Sequence, residues 1–196
     1  MARAALSAAA VVELALRLID EEGPAALTLA AVASRAGVAT PSLYKHVRNL
    51  AELRALVSAR IMDELAERSG AAVLGRSADE AVRALMLAWR DYVLAHPHRY
   101  SALDQAPRPE SAGSGERLVG ILLAAVRGHG LTDAGAVHAV RCLRAAVHGF
   151  TVLEAGGAFQ RPEGLTESYD LLVHMVVAGL RTPPGRLRVE DHPRNS

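Results

Sequence analysis

Apolar residues recur at helical spacing along most of the 196-residue chain. The first segment shows this clearly, because its apolar positions fall on one face of a helix that turns once in about 3.6 residues. That face comprises Val11, Leu14, Ala15, Leu18 and Ile19. Alternating runs of β-branched residues, which indicate strands, are nearly absent. The pattern predicts an all-α fold of about nine helices.

Capping signals divide the first 48 residues into three helices. The first is predicted to begin after Ser7 and to end at Gly23, and the second lies between Thr28 and Gly37. The third is predicted to begin with Thr40 as its N-cap, followed by a proline in the first helical position. Two short helices joined by a tight turn that contains glycine form a helix-turn-helix unit.

The excess positive charge lies in the same part of the chain. The net charge is +1, and residues 1–50 hold five basic and four acidic side chains, whereas the remainder holds seventeen of each. The segment from Arg35 to Arg48 contains three cations and a histidine but no acid, and Lys45 is the only lysine of the chain. This segment is therefore predicted to face an anion.

The run from Leu27 to Val47, LTLAAVASRAGVATPSLYKHV, resembles the DNA-binding segment of the TetR (tetracycline repressor) family. The similarity extends from about Leu14 to Leu56 and includes the Gly-Val and Leu-Tyr-x-His-Val elements in register. The resemblance implies a homodimeric transcriptional repressor that binds a palindromic operator in double-stranded DNA. The implied domains are residues 1–48 for DNA binding and 49–182 for ligand binding and dimerisation, with a flexible tail at 183–196.

Residues on the outer side of the third helix are expected to contact DNA, because a helix fits the roughly 12 Å wide major groove. Pro41, Ser42 and Lys45 are predicted to reach base edges, and the other members of the set to contact phosphates. The full set is Thr28, Arg35, Thr40, Pro41, Ser42, Tyr44, Lys45, His46 and Arg48. Ala30 and Leu50 stand where many family members carry cations, which removes up to two phosphate contacts.

Five further helices are predicted after residue 49. They span 50–69, 78–95, 116–127, 133–155 and 166–180. Asn49 with Glu52, and Ser77 with Glu80, have the spacing of capping boxes. The segment 70–77 is predicted to be a flexible break, and 106–115 is predicted to be a loop because it is rich in Pro, Gly and Ser.

A small-molecule pocket is predicted in the second part of the chain, where most aromatic residues lie. The expected effector is small and apolar or amphipathic, since such pockets combine apolar walls with a few polar groups. The predicted lining is Trp89, Tyr92, Tyr100, Leu103, His138, Arg141, Cys142, Ala145 and His148. Ordinary core packing explains any single one of these residues equally well.

The last two helices are predicted to form a dimer interface, because a helix that is apolar all round must be buried all round. The predicted interface residues are Val140, Leu143, Val147, Phe150, Leu172, Val173, Val176 and Leu180. A tightly packed monomer is the alternative. The run Ala146–Phe150 is similar to a Trp-His-Gly subgroup of such regulatory domains, with Val147 in the place of the tryptophan.

Other classes of function find little support in the sequence. Cys142 is the only cysteine, no zinc-site spacing occurs, and no phosphate-binding or nucleophile motif is present, so no catalytic residue, metal or cofactor is predicted. No apolar stretch reaches the roughly 18 residues of a membrane span, and a cytoplasmic location is expected. The alternative interpretation is a helical small-molecule-binding or catalytic domain with a vestigial DNA-binding segment.

Overall fold

The computed structural model describes residues 6–103 and 112–181, and within these ranges all regular secondary structure is helical. The α-helices are α1 Ala8–Glu22, α2 Leu29–Ala36, α3 Leu50–Val73, α4 Ala78–Ala95, α5 Pro97–Ser101, α6 Ala112–Arg127, α7 Asp133–Ala155 and α8 Leu165–Arg181. Two 3₁₀-helices span Pro24–Ala26 and Thr40–Lys45. The predicted all-α fold is confirmed.

The N-terminal unit, residues 8–47, is organised by the caps that the sequence indicates. The Ser7 hydroxyl accepts from the Ala10 amide at 3.2 Å, and the Thr28 hydroxyl accepts from the Ala31 amide at 3.1 Å. Gly37 ends α2 in the left-handed conformation, at φ 64°, which a residue with a side chain rarely adopts. These local signals fix where α1 and α2 begin and where α2 ends.

The third helix of the unit, Thr40–Lys45, is a 3₁₀-helix rather than the predicted α-helix. We call it the reading helix. Ala39 and not Thr40 is its N-cap, and no side chain caps it. Its hydrogen bonds join residues three apart, as in the 2.8 Å bond from the His46 amide to the Leu43 carbonyl. Little room exists for more turns, because Asn49 begins the next helix immediately afterwards.

Helix α3 connects the N-terminal unit to the remaining helices. The Asn49 side chain accepts from the Glu52 amide at 2.8 Å, which confirms the predicted cap. The helix continues to Val73 instead of ending near Ser69. Gly70 lies within this extension, and a Cβ there would make an ordinary van der Waals contact with Ile121 of α6, at 3.5 Å, so this position faces the packing surface between α3 and α6.

Helices α3, α4, α6, α7 and α8 form a bundle around a core that includes Trp89, Tyr92 and Tyr169. The short helix α5, which the sequence analysis does not predict, follows α4 directly and packs against α1. Helix α6 begins at Ala112, earlier than predicted, and the Ser77 and Thr132 side chains make no capping hydrogen bond. The predicted loop residues 106–111 and tail 183–196 lie outside the described residues. Among the helices described, none combines the length and apolar character of a bilayer-spanning segment.

Candidate nucleic-acid interface and regulatory core

The reading helix is held by two apolar anchors and presents its other residues outward. Leu43 and Val47 are buried in the hydrophobic core, and the helix packs against α2. Tyr44 is 55% exposed, and Pro41 and Lys45 are also exposed. Thr40, Ser42 and His46 are half-buried beside them. The local fold therefore brings six of the predicted DNA-binding residues to one part of the surface.

Thr28 lies at the exposed start of α2. Its hydroxyl oxygen already accepts from the Ala31 amide, which leaves the hydroxyl proton for an acceptor such as a phosphate oxygen. Ala30 is exposed on the first turn of α2 and supplies no charge there. Leu50 is half-buried against the core, so the other missing cation is replaced by an apolar contact.

Two of the predicted phosphate contacts are already engaged with carboxylates. The Arg35 guanidinium binds Glu21 and Glu22, each at 2.6 Å, and the hydrogen bond with Glu21 is the main reason that the pKa of Arg35 is raised. Arg48 binds Glu52 at 3.1 Å. A hydrogen bond from the Arg48 amide and the nearby guanidinium lower the pKa of the Glu52 carboxyl. To bind a DNA phosphate, each arginine would have to release its carboxylate partner or bind the phosphate and the carboxylate together.

Within the bundle, Trp89, Tyr100 and His148 form one hydrogen-bonded chain. The Trp89 Nε1 atom lies 3.1 Å from the Tyr100 hydroxyl, which lies 2.9 Å from His148 Nδ1. An indole N–H only donates, so the tyrosine oxygen accepts from Trp89. The Tyr100 hydroxyl proton is then paired when the tyrosine donates to Nδ1 of a neutral His148, which carries its own proton on Nε2. Burial lowers the pKa of His148 and raises that of Tyr100.

Two further predicted pocket residues lie near this chain. Tyr92 is fully buried, and its hydroxyl donates to Glu64 at 3.0 Å. Burial and the carboxylate raise the pKa of Tyr92. Leu103, just after α5, is half-buried against the same core. Five predicted pocket residues therefore belong to the core of the bundle.

The other four predicted pocket residues lie elsewhere. His138, Arg141, Cys142 and Ala145 are all exposed on the outer side of α7. They follow helical spacing on the side opposite Leu143 and Val147, which are buried, so the turn of the helix directs them away from the core. Their assignment to the pocket is corrected accordingly.

The predicted dimer residues are also placed differently. Five of the eight are buried within the single chain: Val140, Leu143, Val147, Val173 and Leu180. The other three, Phe150, Leu172 and Val176, are half-buried against the same core. A side chain that is already covered within one chain has little surface to offer a partner, so the five buried residues form the core of the subunit, whereas the three half-buried residues keep part of their surface accessible.

Helices α7 and α8 instead expose a different apolar surface. Met175 is 62% exposed and Leu171 is 60% exposed on α8. Large apolar side chains are also exposed on α7. We define the outer apolar face as Val137, Val152, Leu153, Leu171 and Met175. Both stripes of α7 are apolar in the sequence, and only the packing against α4, α6 and α8 distinguishes them.

An open cleft of about 290 Å³ lies at the connection between α7 and α8. Phe150, Phe159, Arg161 and Glu163 are among its lining residues. The rings of Phe150 and Phe159 lie 5.0 Å apart at one side of the cleft. None of the nine predicted pocket residues lines it.

The sequence analysis missed a charged cluster where α1, α3 and α5 meet. The Arg99 guanidinium binds both carboxylate oxygens of Asp20, at 2.6 and 2.7 Å, and lies 3.0 Å from Glu64. His98 Nδ1 lies 3.1 Å from the Asp20 carbonyl oxygen. The fork with Asp20 is the main reason that the pKa of Arg99 is raised. The only local signal was the run of polar residues after the end of α4.

In the parts of the chain that the structure describes, no group of three His, Cys, Asp or Glu side chains is arranged to hold a metal ion.

Comparison with known proteins adds evidence on the family. The chain matches the family described as "Bacterial regulatory proteins, tetR family" over residues 11–55. It matches "Tetracyclin repressor-like, C-terminal domain" over residues 82–176. The first match covers the reading helix, and the second covers most of the bundle.

Curated relatives align over most of their length. The chain is 35% identical to the uncharacterized HTH-type transcriptional regulator Rv0681 of Mycobacterium tuberculosis, over 79% of this chain and 72% of the relative. It is 31% identical to the uncharacterized HTH-type transcriptional regulator YobS of Bacillus subtilis, over 91% of this chain and 94% of the relative. A TetR variant from Acinetobacter baumannii, solved in complex with minocycline, has a similar fold. The TM-score is 0.70 and the identity is 21%, over 89% of this chain and 96% of the other.

Proposed function

Since the chain belongs to the TetR family of bacterial transcriptional regulators, we propose that it is a homodimeric repressor that binds a palindromic operator and is released by a small effector. The relatives are regulators and not enzymes, so the catalytic alternative is set aside. The proposal places the protein in the cytoplasm, where the bacterial chromosome lies.

The exposed side of the reading helix carries the DNA-binding part of the proposal. Leu43 and Val47 are buried on the inner side of the helix, and Pro41, Tyr44 and Lys45 are exposed on the outer side. A rigid platform with small and cationic side chains suits entry into the major groove. Lys45 is in the position to contact a base edge, whereas Thr28, Thr40, Tyr44 and His46 flank it for phosphates.

The outer apolar face supports the proposal of a dimer. Leu171 and Met175 are exposed on α8, which packs against α7, and α7 also exposes large apolar residues; exposed apolar patches mark interaction surfaces. A second copy is the occupant that fits, because a palindromic operator requires two reading helices related by a two-fold axis. The dimer is expected to place them about 34–36 Å apart, one turn of B-DNA.

The effector is proposed to enter the bundle beside the Trp89–Tyr100–His148 chain. With Tyr100 as donor to Nδ1, His148 keeps an N–H at Nε2 that suits a carbonyl, carboxylate or phenolate oxygen of the effector. The surrounding aromatic side chains suit the apolar remainder of such a molecule. A coupling of about 1–3 kcal/mol between effector and DNA would weaken operator binding by roughly 5- to 150-fold.

Selection of bound duplexes from a random DNA pool tests the DNA-binding part of this function. We expect the recovered sequences to share an inverted repeat whose half-sites lie about one helical turn apart. Arg127→Ala serves as a control, since Arg127 is exposed at the end of α6, away from the reading helix. Recovery of random duplexes at moderate salt would contradict sequence-specific binding. Recovery of a single half-site would contradict the proposed dimer but not the sequence-specific DNA binding.

A further inference from the structure

Helix α5 connects two groups of contacts that belong to different parts of the molecule. It contains five residues, begins with Pro97, and packs against both α1 and α4. Adjacent residues of a helix point about 100° apart. Arg99 and Tyr100 therefore face different surroundings, although they are neighbours in the chain.

On one side, Arg99 holds the N-terminal unit. Its guanidinium forms a two-bond fork with Asp20, near the end of α1, and contacts Glu64 of α3. Arg99 is only 16% exposed, so solvent screens these bonds less than those of a surface pair. The planar guanidinium makes two hydrogen bonds only when the carboxylate has one orientation, whereas a point charge such as an ammonium group does not restrict that orientation. Arg99 thus fixes the direction of α1 relative to α5.

On the other side, Tyr100 is tied into the regulatory core. Its hydroxyl is the middle member of the chain from Trp89 on α4 to His148 on α7. A helix of one turn has no length over which to bend. A displacement of Tyr100 that moves the backbone of α5 must therefore move Arg99 as well, and the fork then either breaks or carries Asp20 and α1 with it.

We propose that Arg99 is a positioning residue for operator binding, through which α5 transmits the state of the Trp89–Tyr100–His148 chain to the N-terminal unit. This inference rests on the proposed function, since it concerns how that function is regulated. Linkage is reciprocal, so operator binding must in turn alter the surroundings of Trp89.

The first measurement uses unmodified protein. Trp89 is the only tryptophan of the chain, so its fluorescence reports on the hydrogen-bonded chain directly. The probe is the inverted-repeat duplex recovered by selection, with a scrambled duplex for comparison. We expect the recovered duplex to shift the Trp89 emission and the scrambled duplex to leave it unchanged. Operator binding without any change in emission would overturn the inference but leave the proposed function intact.

The second measurement is a double-mutant cycle on operator affinity. Tyr100→Phe removes the middle hydroxyl and is expected to weaken operator binding about fivefold or more. In an Arg99→Gln background, the same change is expected to alter affinity by less than about twofold. An equal effect of Tyr100→Phe in both backgrounds would overturn the inference.

Arg90 provides a matched control for the loss of a buried fork. Its guanidinium binds Glu154 through two hydrogen bonds, at 2.8 and 2.5 Å, but this pair joins α4 to α7 and does not touch α1. Arg90→Gln is expected to lower stability while the Trp89 signal and the effect of Tyr100→Phe persist. If Arg90→Gln also abolished the Trp89 signal and the effect of Tyr100→Phe on operator affinity, general destabilisation would explain both results. That outcome would overturn the role of Arg99. If unmodified protein retains no duplex at all, the proposed function fails first.

Discussion

Two surfaces of this molecule present side chains to the outside, and they differ in chemistry. The exposed side of the reading helix carries Tyr44 and Lys45 with small polar neighbours, whereas the outer apolar face carries Leu171 and Met175. DNA binding favours cations and hydrogen-bond donors, and protein association favours apolar contact. Exposure alone thus does not distinguish the two proposed partners, and the proposals rest on the composition of each surface.

The two surfaces share one principle of construction. Each is held by fully buried residues on the opposite side of its helix, Leu43 for the reading helix and Leu143 and Val147 for α7. A change to a buried residue should therefore disturb the subunit, and a change to an exposed one should disturb only the partner. The predictions below separate these two outcomes.

Val147→Glu is expected to have the largest effect. Val147 is fully buried within the subunit, and a carboxylate there has no partner. The cost is about 4 kcal/mol or more, a large part of the roughly 5–15 kcal/mol that stabilises a typical domain. Thermal and urea unfolding measure it. An unchanged melting temperature would show that Val147 is not in the core.

Met175→Glu should dissociate the dimer and leave each subunit folded. Met175 is exposed in the single chain, so the charge is solvated in the monomer and buried only against a partner. The expected loss is about 3 kcal/mol or more of association free energy, measured by sedimentation or by elution volume against concentration. Leu74→Glu is the control, because Leu74 is 81% exposed at the end of α3. A normal dimer in Met175→Glu would exclude this face as the interface.

The features that could be predicted from the sequence depend on residues close together in the chain. The caps at Ser7, Thr28 and Asn49 depend on side chains three residues from the amides they bind, so each is visible in a short window. The end of α2 at Gly37 is similarly a property of one residue. The order of the helices in the N-terminal unit followed from these signals.

The missed features depend on distant residues. Arg99 and Asp20 are 79 positions apart, and no pattern in the sequence joins them. Helix α7 has two apolar stripes, and the choice of the inner one is made by the helices that pack against it. The same limit explains why His138 and Cys142 were assigned to a pocket although they lie outside.

Lys45→Ala should weaken operator binding by about 1–3 kcal/mol and relax the preference at one base pair if the lysine contacts a base edge. Arg35→Ala is the comparison. Its guanidinium is bound to Glu21 and Glu22, so its removal should have the smaller effect on affinity. Affinities measured over a range of salt concentrations distinguish a base contact from a phosphate contact, which would flatten the salt dependence. A larger loss in Arg35→Ala would reverse the assigned roles.

The smallest expected effect is on the pH dependence of stability, and it concerns His148. Burial, and next the positive charge of Arg144, lower the pKa of His148 in the folded protein. The unfolded chain, with a pKa of about 6.5, then binds more protons in the interval between the two values. Stability must therefore fall as the pH drops from about 6.5 towards the lower, folded pKa. His96, whose pKa is lowered mainly by burial, adds a slope of the same sign. In His148→Asn, which keeps an acceptor for Tyr100, we expect part of the slope to disappear while that of His96 remains. Urea midpoints between pH 7 and pH 5 measure the difference, and identical slopes in the two proteins would place His148 in a solvated site.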